Sequence, residues 1–137
     1  MPYFNDIQTF YDALIELFDK LMEDPAVKAK ALSSKLKVCF NFYNPDGQMW
    51  IDCTGDEVTL LPGSQDMSPD ATLSMDADVA HRFWLGQLNL IKALSSKEIK
   101  SSGSIPKLLK LLPVIKPAFK IYPEVLEENG MGDLVNV

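Results

Sequence analysis

His81 is the sole histidine of this chain, and Cys39 and Cys53 are its only cysteines, so groups able to shuttle a proton or attack a carbon are few. A histidine base needs an activated serine or cysteine beside it. No Ser or Cys near His81 has that context, and it reads as a histidine on a helix surface. The two cysteines lack metal-ligand spacing. Cys53 reads as an apolar filler. Cys39 would become reactive only where a positive field favoured its thiolate, and Lys37 is the lone cation on its side of a strand. Asp56-Glu57 falls in a turn, and Asp76 with Asp78 opens a helix, where acids suit the exposed amides of the first turn. Gly55, Gly63, Gly86 and Gly103 are isolated, with no glycine-rich phosphate loop. The expectation is a protein without catalytic activity, metal or cofactor.

What the chain does supply is hydrocarbon: 47% of its 137 residues are hydrophobic. The elements that present it can be read from period. Ile7, Phe10, Tyr11, Leu14, Leu17, Phe18, Leu21 and Met22 recur at helical spacing, predicting a helix over about 6–23 with Asn5 and Gln8 as a capping box. Pro25 ends it, and a short helix over 26–34 follows. Leu36, Val38, Phe40 and Phe42 then alternate with Lys37, Cys39, Asn41 and Tyr43, as a half-buried strand requires. Asn44-Pro45-Asp46-Gly47 is turn chemistry, and a second strand runs from Gln48 to Thr54. Pairing Tyr43 with Gln48 sets Phe42 opposite Met49, Phe40 opposite Ile51 and Val38 opposite Cys53, all on one face. The cysteines then lie on opposite faces and cannot form a disulfide.

A third strand is expected over Val58–Leu61, and a fourth over Ala71–Met75 that pairs elsewhere than with its predecessor. Asp76 is placed to cap a helix carrying Val79, Phe83 and Trp84. A short helix over Asn89–Leu94 and a fifth strand over 97–102, ending at Gly103, follow. Pro113, Pro117 and Pro123 should cut the end of the chain into short helical pieces, and Asn129–Val137 reads as frayed. The apolar faces of these elements converge. The candidate lining is Phe40, Phe42, Met49 and Ile51 from the hairpin, with Phe83, Trp84, Leu88, Leu94, Leu108, Leu109 and Leu112 from the later segments. Periodicity does not distinguish a filled core from a lined cavity.

The net charge of −6 argues against nucleic acid as a partner. Charge is unevenly spread. Residues 92–120 carry seven lysines (92, 97, 100, 107, 110, 116 and 120) against Glu98 alone, inside an otherwise acidic chain. This is either a solvated helix face or a docking patch for anionic lipid heads, a membrane surface or an acidic protein. No apolar run approaches the roughly 20 residues of a membrane span. The start of the chain is a poor signal peptide, so a soluble, cytoplasmic single domain over 1–137 is expected.

Between Ala71 and Gly103 the chain resembles the sterol carrier protein 2 (SCP2) family. Ala71-Thr72-Leu73-Ser74-Met75 matches a strand that enters a helix opened by acids, here Asp76 and Asp78. Gly86-Gln87-Leu88-Asn89 matches a turn, Ala93-Leu94 an Ala-Leu pair, and Gly103 the end of a strand. Leu90 replaces the family's proline after Asn89, and Ser101 replaces a pocket-facing aliphatic residue. The last residues, Val135-Asn136-Val137, are not the Ser-Lys-Leu peroxisomal address of some relatives. The resemblance implies an α+β fold with a five-stranded mixed sheet, helices covering one face, and an apolar cavity between them. It also implies non-catalytic binding and transfer of a fatty acid, acyl-CoA, sterol, phospholipid or isoprenoid. The cavity wall would include the eleven lining candidates, with Lys107 and Lys110 near a headgroup or partner. The alternative is an accessory module presenting a lipid or quinone precursor to a lipid-modifying enzyme complex.

Overall fold

The computed structural model describes residues 2–137. The first periodic segment forms α1, Ile7–Leu21, burying Phe10, Tyr11, Leu14, Leu17, Phe18 and Leu21 along one side. Its cap is Asp6, not Asn5. The Asp6 carboxylate accepts the Thr9 N–H at 2.8 Å, and that bond holds its carboxyl below the usual range. Pro25 begins α2, Pro25–Ser34, at the position where a missing N–H costs least. Asp24 caps this helix by accepting from Ala26 at 2.9 Å.

Strands β1 (Lys37–Tyr43) and β2 (Gly47–Asp52) form the expected hairpin. Its register is tighter than predicted, with Phe42 opposite Gly47, Phe40 opposite Met49 and Val38 opposite Ile51. The slip is an even number of residues, so every side chain keeps its predicted face. The cause lies at Gly47, which joins the ladder instead of the turn. A Cβ there would overlap Ile7 and Tyr11 of α1, and the Tyr11 hydroxyl accepts the Gln48 N–H at 2.8 Å. Glycine is what lets α1 lie against the hairpin.

β3 (Thr59–Pro62) runs antiparallel to β2, β4 (Ala71–Asp76) parallel to β1, and β5 (Lys100–Gly103) antiparallel to β4. The result is an open, mixed sheet of order β3-β2-β1-β4-β5. β5 starts later than expected, and all four of its residues are exposed. At its end Gly103 has φ +89°, and a Cβ would overlap the Asp70 carbonyl. The backbones close there through Ser104 N–H to Asp70 C=O at 2.7 Å.

The remaining elements are α3 (Ala77–Trp84), α4 (Leu90–Ser95), α5 (Ile105–Leu109), α6 (Leu112–Ile115), α7 (Ala118–Glu128) and a 3-10 turn, Gly132–Leu134. Asp76 sits at the cap position of α3 but makes no side-chain cap bond. Asp78 instead accepts the Tyr3 N–H at 2.9 Å. The expected short pieces appear as α5 and α6, but Pro123 does not cut the chain and the terminus is not frayed. α7 runs through Pro123 because Ala118, Tyr122, Val125 and Leu126 are fully buried, and that burial outweighs one lost backbone bond. The terminal residues are not frayed. Met131 N–H donates to the Leu126 carbonyl at 2.7 Å, and Leu134 and Val135 pack on the core.

Candidate functional site

The inner face of the sheet divides along the strands. At one end Phe42, Met49 and Met75 are buried in the core. Phe42 stacks edge-on against Phe10 at 5.1 Å. At the other end the same rows border an apolar pocket. Its floor is Val38 and Phe40 of β1, Ile51 of β2, Leu73 of β4, and Cys53. One wall is Phe18 and Met22 of α1 with Ala31 of α2, and another is Phe83 and Trp84 of α3 with Leu90 of α4. The roof is Leu108 of α5, Leu111, and Leu112, Val114 and Ile115 of α6. No charged side chain lines it. Trp84 organises the deep end, with ring centroids 5.3 Å from Phe18, 5.0 Å from Phe83 and 6.5 Å from Phe40.

Of the eleven lining candidates, Phe40, Ile51, Phe83, Trp84, Leu108 and Leu112 meet at this pocket. Phe42 and Met49 do not: both are buried in the core, Phe42 against Phe10 of α1. Leu88, Leu94 and Leu109 are partly buried side chains outside the lining. Ser101, which the resemblance set facing the pocket, is exposed on β5. Val38, which the alternation of β1 sets on the inward face, also lines the floor, whereas Leu73 was missed although it shares the inward parity of Met75, a signal that would have found it. Leu111 and Ile115 fall at helical spacing with Leu108 and Leu112, a signal that would have found them, while Val114 lies outside that spacing.

The pocket is small, enclosing about 60 Å³. That is less than half of the roughly 150 Å³ that admits benzene in an engineered apolar cavity. A long chain therefore enters only if the walls move. The roof is the wall best able to do so: α6 is four residues long and buries none of them. Beside it, Lys107 and Lys110 border a separate groove with Lys30, Ser33 and Ser34 of α2. Broader clefts elsewhere are polar and open, such as that lined by Asp76, Asp78, Arg82 and Glu98.

The groups singled out for chemistry are placed away from the pocket or neutralised. His81 is not on the surface but fully buried. Its Nε2 lies 2.8 Å from the Leu134 carbonyl and its Nδ1 2.8 Å from the Tyr122 hydroxyl. A carbonyl only accepts, so Nε2 carries the proton and Nδ1 accepts from Tyr122. Burial pushes the His81 pKa down and that of Tyr122 up. Cys39 faces away from the helices, paired with Trp50 across the strands, yet both are buried. Burial pushes its thiol up to about 11, opposite to what a nucleophile needs. Burial also raises Cys53. Both cysteines are free. Among the described residues no three His, Cys, Asp or Glu side chains converge as metal ligands. No helix there is long and apolar enough to cross a membrane.

An open mixed sheet roofed by helices, with a hydrocarbon-walled pocket between the layers, defines an α+β fold. The SCP-2 sterol transfer family matches residues 15–116, and the chain belongs to that family. No curated protein matches it in sequence. Solved structures match in fold. The sterol carrier protein domain 2 of Helicoverpa armigera superposes with a TM-score of 0.64 at 20% identity, covering 81% of this chain and 87% of that one. A UbiJ-SCP2 ubiquinone synthesis protein gives 0.61 at 21% identity, over 86% and 95%. Sterol carrier protein 2 from Aedes aegypti, solved in complex with the C16 fatty acid palmitate, gives 0.50 at 20%, over 66% and 89%.

Proposed function

We propose that this chain binds single lipid molecules without chemical change, seating the tail between the sheet and α5–α6 and releasing it when that roof opens. The observation that carries this reading is a pocket walled by aliphatic and aromatic side chains, with no charged group facing in. Each methylene taken out of water contributes roughly 0.8 kcal/mol, so a tail binds by area alone and a wall without polar groups suffices. Phe40, Ile51, Phe83, Trp84, Leu108 and Leu112 are the side chains proposed to touch it. The complex of the Aedes aegypti relative with palmitate supports a single acyl chain as the first ligand to try. Native mass spectrometry of the purified protein, followed by titration with fluorescent fatty acids and sterols, tests the reading. A saturable 1:1 complex is expected. A protein that carries no lipid and responds to none of these probes would overturn it.

A second reading, an accessory module presenting a lipid or quinone precursor to an enzyme, draws support from the match to the UbiJ-SCP2 protein along most of both chains. It differs in what the lysines do. Charge reversal at Lys107 and Lys110 would then abolish assembly with the enzyme complex while lipid affinity held.

A further inference from the structure

The groove beside the pocket has room for about 320 Å³ and is lined by Lys30, Ser33 and Ser34 of α2, Lys107, and Lys110 at the end of α5. No acid lines it. Among the described residues the ion pairs are Lys20–Glu128, Lys28–Glu57 and Arg82–Glu98, so none of these three lysines is neutralised by one. In a protein of net charge −6, three cations round one groove with no counter-charge form a local anion-attracting field. The groove adjoins the pocket across a shared wall. Leu111 and Val114 line both. On α2, Ala31 faces the pocket while its neighbours Lys30, Ser33 and Ser34 face the groove.

We propose that this site selects single-chain lipids with an anionic head, a carboxylate or a phosphate monoester. The head sits among Lys30, Lys107 and Lys110, and the chain passes Leu111 and Val114 into the pocket. The inference rests on the lipid-carrier reading and adds to it a head site and a preference by charge. An amphiphile then spans two surfaces of matched chemistry. Its tail leaves water against hydrocarbon, and its head stays hydrated between flexible ammonium groups that reach it without being buried.

The test uses the whole chain and two fluorescent probes of equal length, a polyene fatty acid and its methyl ester. Exposed ion pairs are worth up to about fivefold each, so the Lys30→Gln/Lys107→Gln/Lys110→Gln variant should bind the acid roughly ten- to hundredfold more weakly and the ester as before. The corresponding triple Lys→Arg variant should keep the wild-type preference. Raising the salt concentration should weaken binding of the acid alone. If the variant binds both probes as the wild type does, the head site is wrong and the carrier reading stands. Equal loss for both probes would make the lysines structural and also overturn the proposal. Wild-type protein that binds neither probe would remove the carrier reading itself. Inorganic phosphate or acetate alone should not displace the acid. Displacement by either would mean a free-anion site, which contradicts a lipid head site.

Discussion

His81 ties distant parts of the chain into one small cluster. Its ring nitrogens hold Tyr122 of α7 and the carbonyl of Leu134, and the rings of Tyr3 and Phe4 lie 5.3 Å from it. The folded protein keeps this imidazole neutral, because burial lowers its pKa below the ordinary 6.5. The sign of the pH effect follows. The unfolded chain takes up a proton as pH falls through about 6.5, whereas the folded chain resists until lower pH, so stability is complete above that range and is lost below it. The urea midpoint should drop between pH 7.5 and 5.5, and His81→Gln should flatten that drop. Tyr122→Phe leaves Nδ1 without a donor and should cost about 1–3 kcal/mol by chemical denaturation. Cys39 should react slowly with a thiol reagent in the native state and quickly once unfolded, since it is both covered and pushed up to about 11.

Among the α-helices, α5 and α6 are the least anchored, since α5 buries only Leu108 and α6 buries none of its residues. Pro106, Pro113 and Pro117 supply no N–H, and the amides of Leu111, Val114 and Ile115 bond only to carbonyls three or four residues back. Hydrogen exchange should therefore be fast over 105–117 and slow in β1 and α7, and a bound lipid should slow the roof selectively. Filling the pocket from the opposite wall is the complementary experiment. Ala31→Met puts three more heavy atoms into the space under the roof. The free protein should become more stable, and lipid affinity should fall by roughly 2 kcal/mol if three methylenes of tail are displaced. Both shifts are read from a denaturation curve and a binding isotherm on the same sample. This contrast between sheet and roof is also the limit of what the sequence discloses. Alternation in β1, β2 and β4 and the helical period of α1 specify which side chains face inward, because one face of each is covered. Leu108, Leu111, Leu112 and Ile115 keep helical spacing, but the chain there forms two short pieces instead of one helix, so their role as a roof comes from where those pieces land. His81 was misread for a related reason, since its partners are 41 and 53 residues away in the chain.

For the molecule as a whole, the proposed carrier role must be met by a pocket with little free space. The free volume of about 60 Å³ means that binding must expand the space between the layers. Affinity is then the gain from burying the tail less the cost of parting α5 and α6 from the sheet. Burial of apolar surface should appear as a negative heat-capacity change on binding, and calorimetry at several temperatures measures it. The charge arrangement sets the other half of the behaviour, as an acidic body carries three unneutralised lysines at the pocket's edge. The most direct test of the central claim, that a hydrocarbon chain lodges between the sheet and α5–α6, is an isotope-filtered NMR experiment on the complex with a C16 fatty acid. Magnetisation transfer is predicted from the chain's methylenes to the methyl groups of Val38, Ile51, Leu73, Leu108 and Leu112. A saturated complex with no transfer to those five residues, or transfer only to exposed methyls such as Ile91, would contradict it.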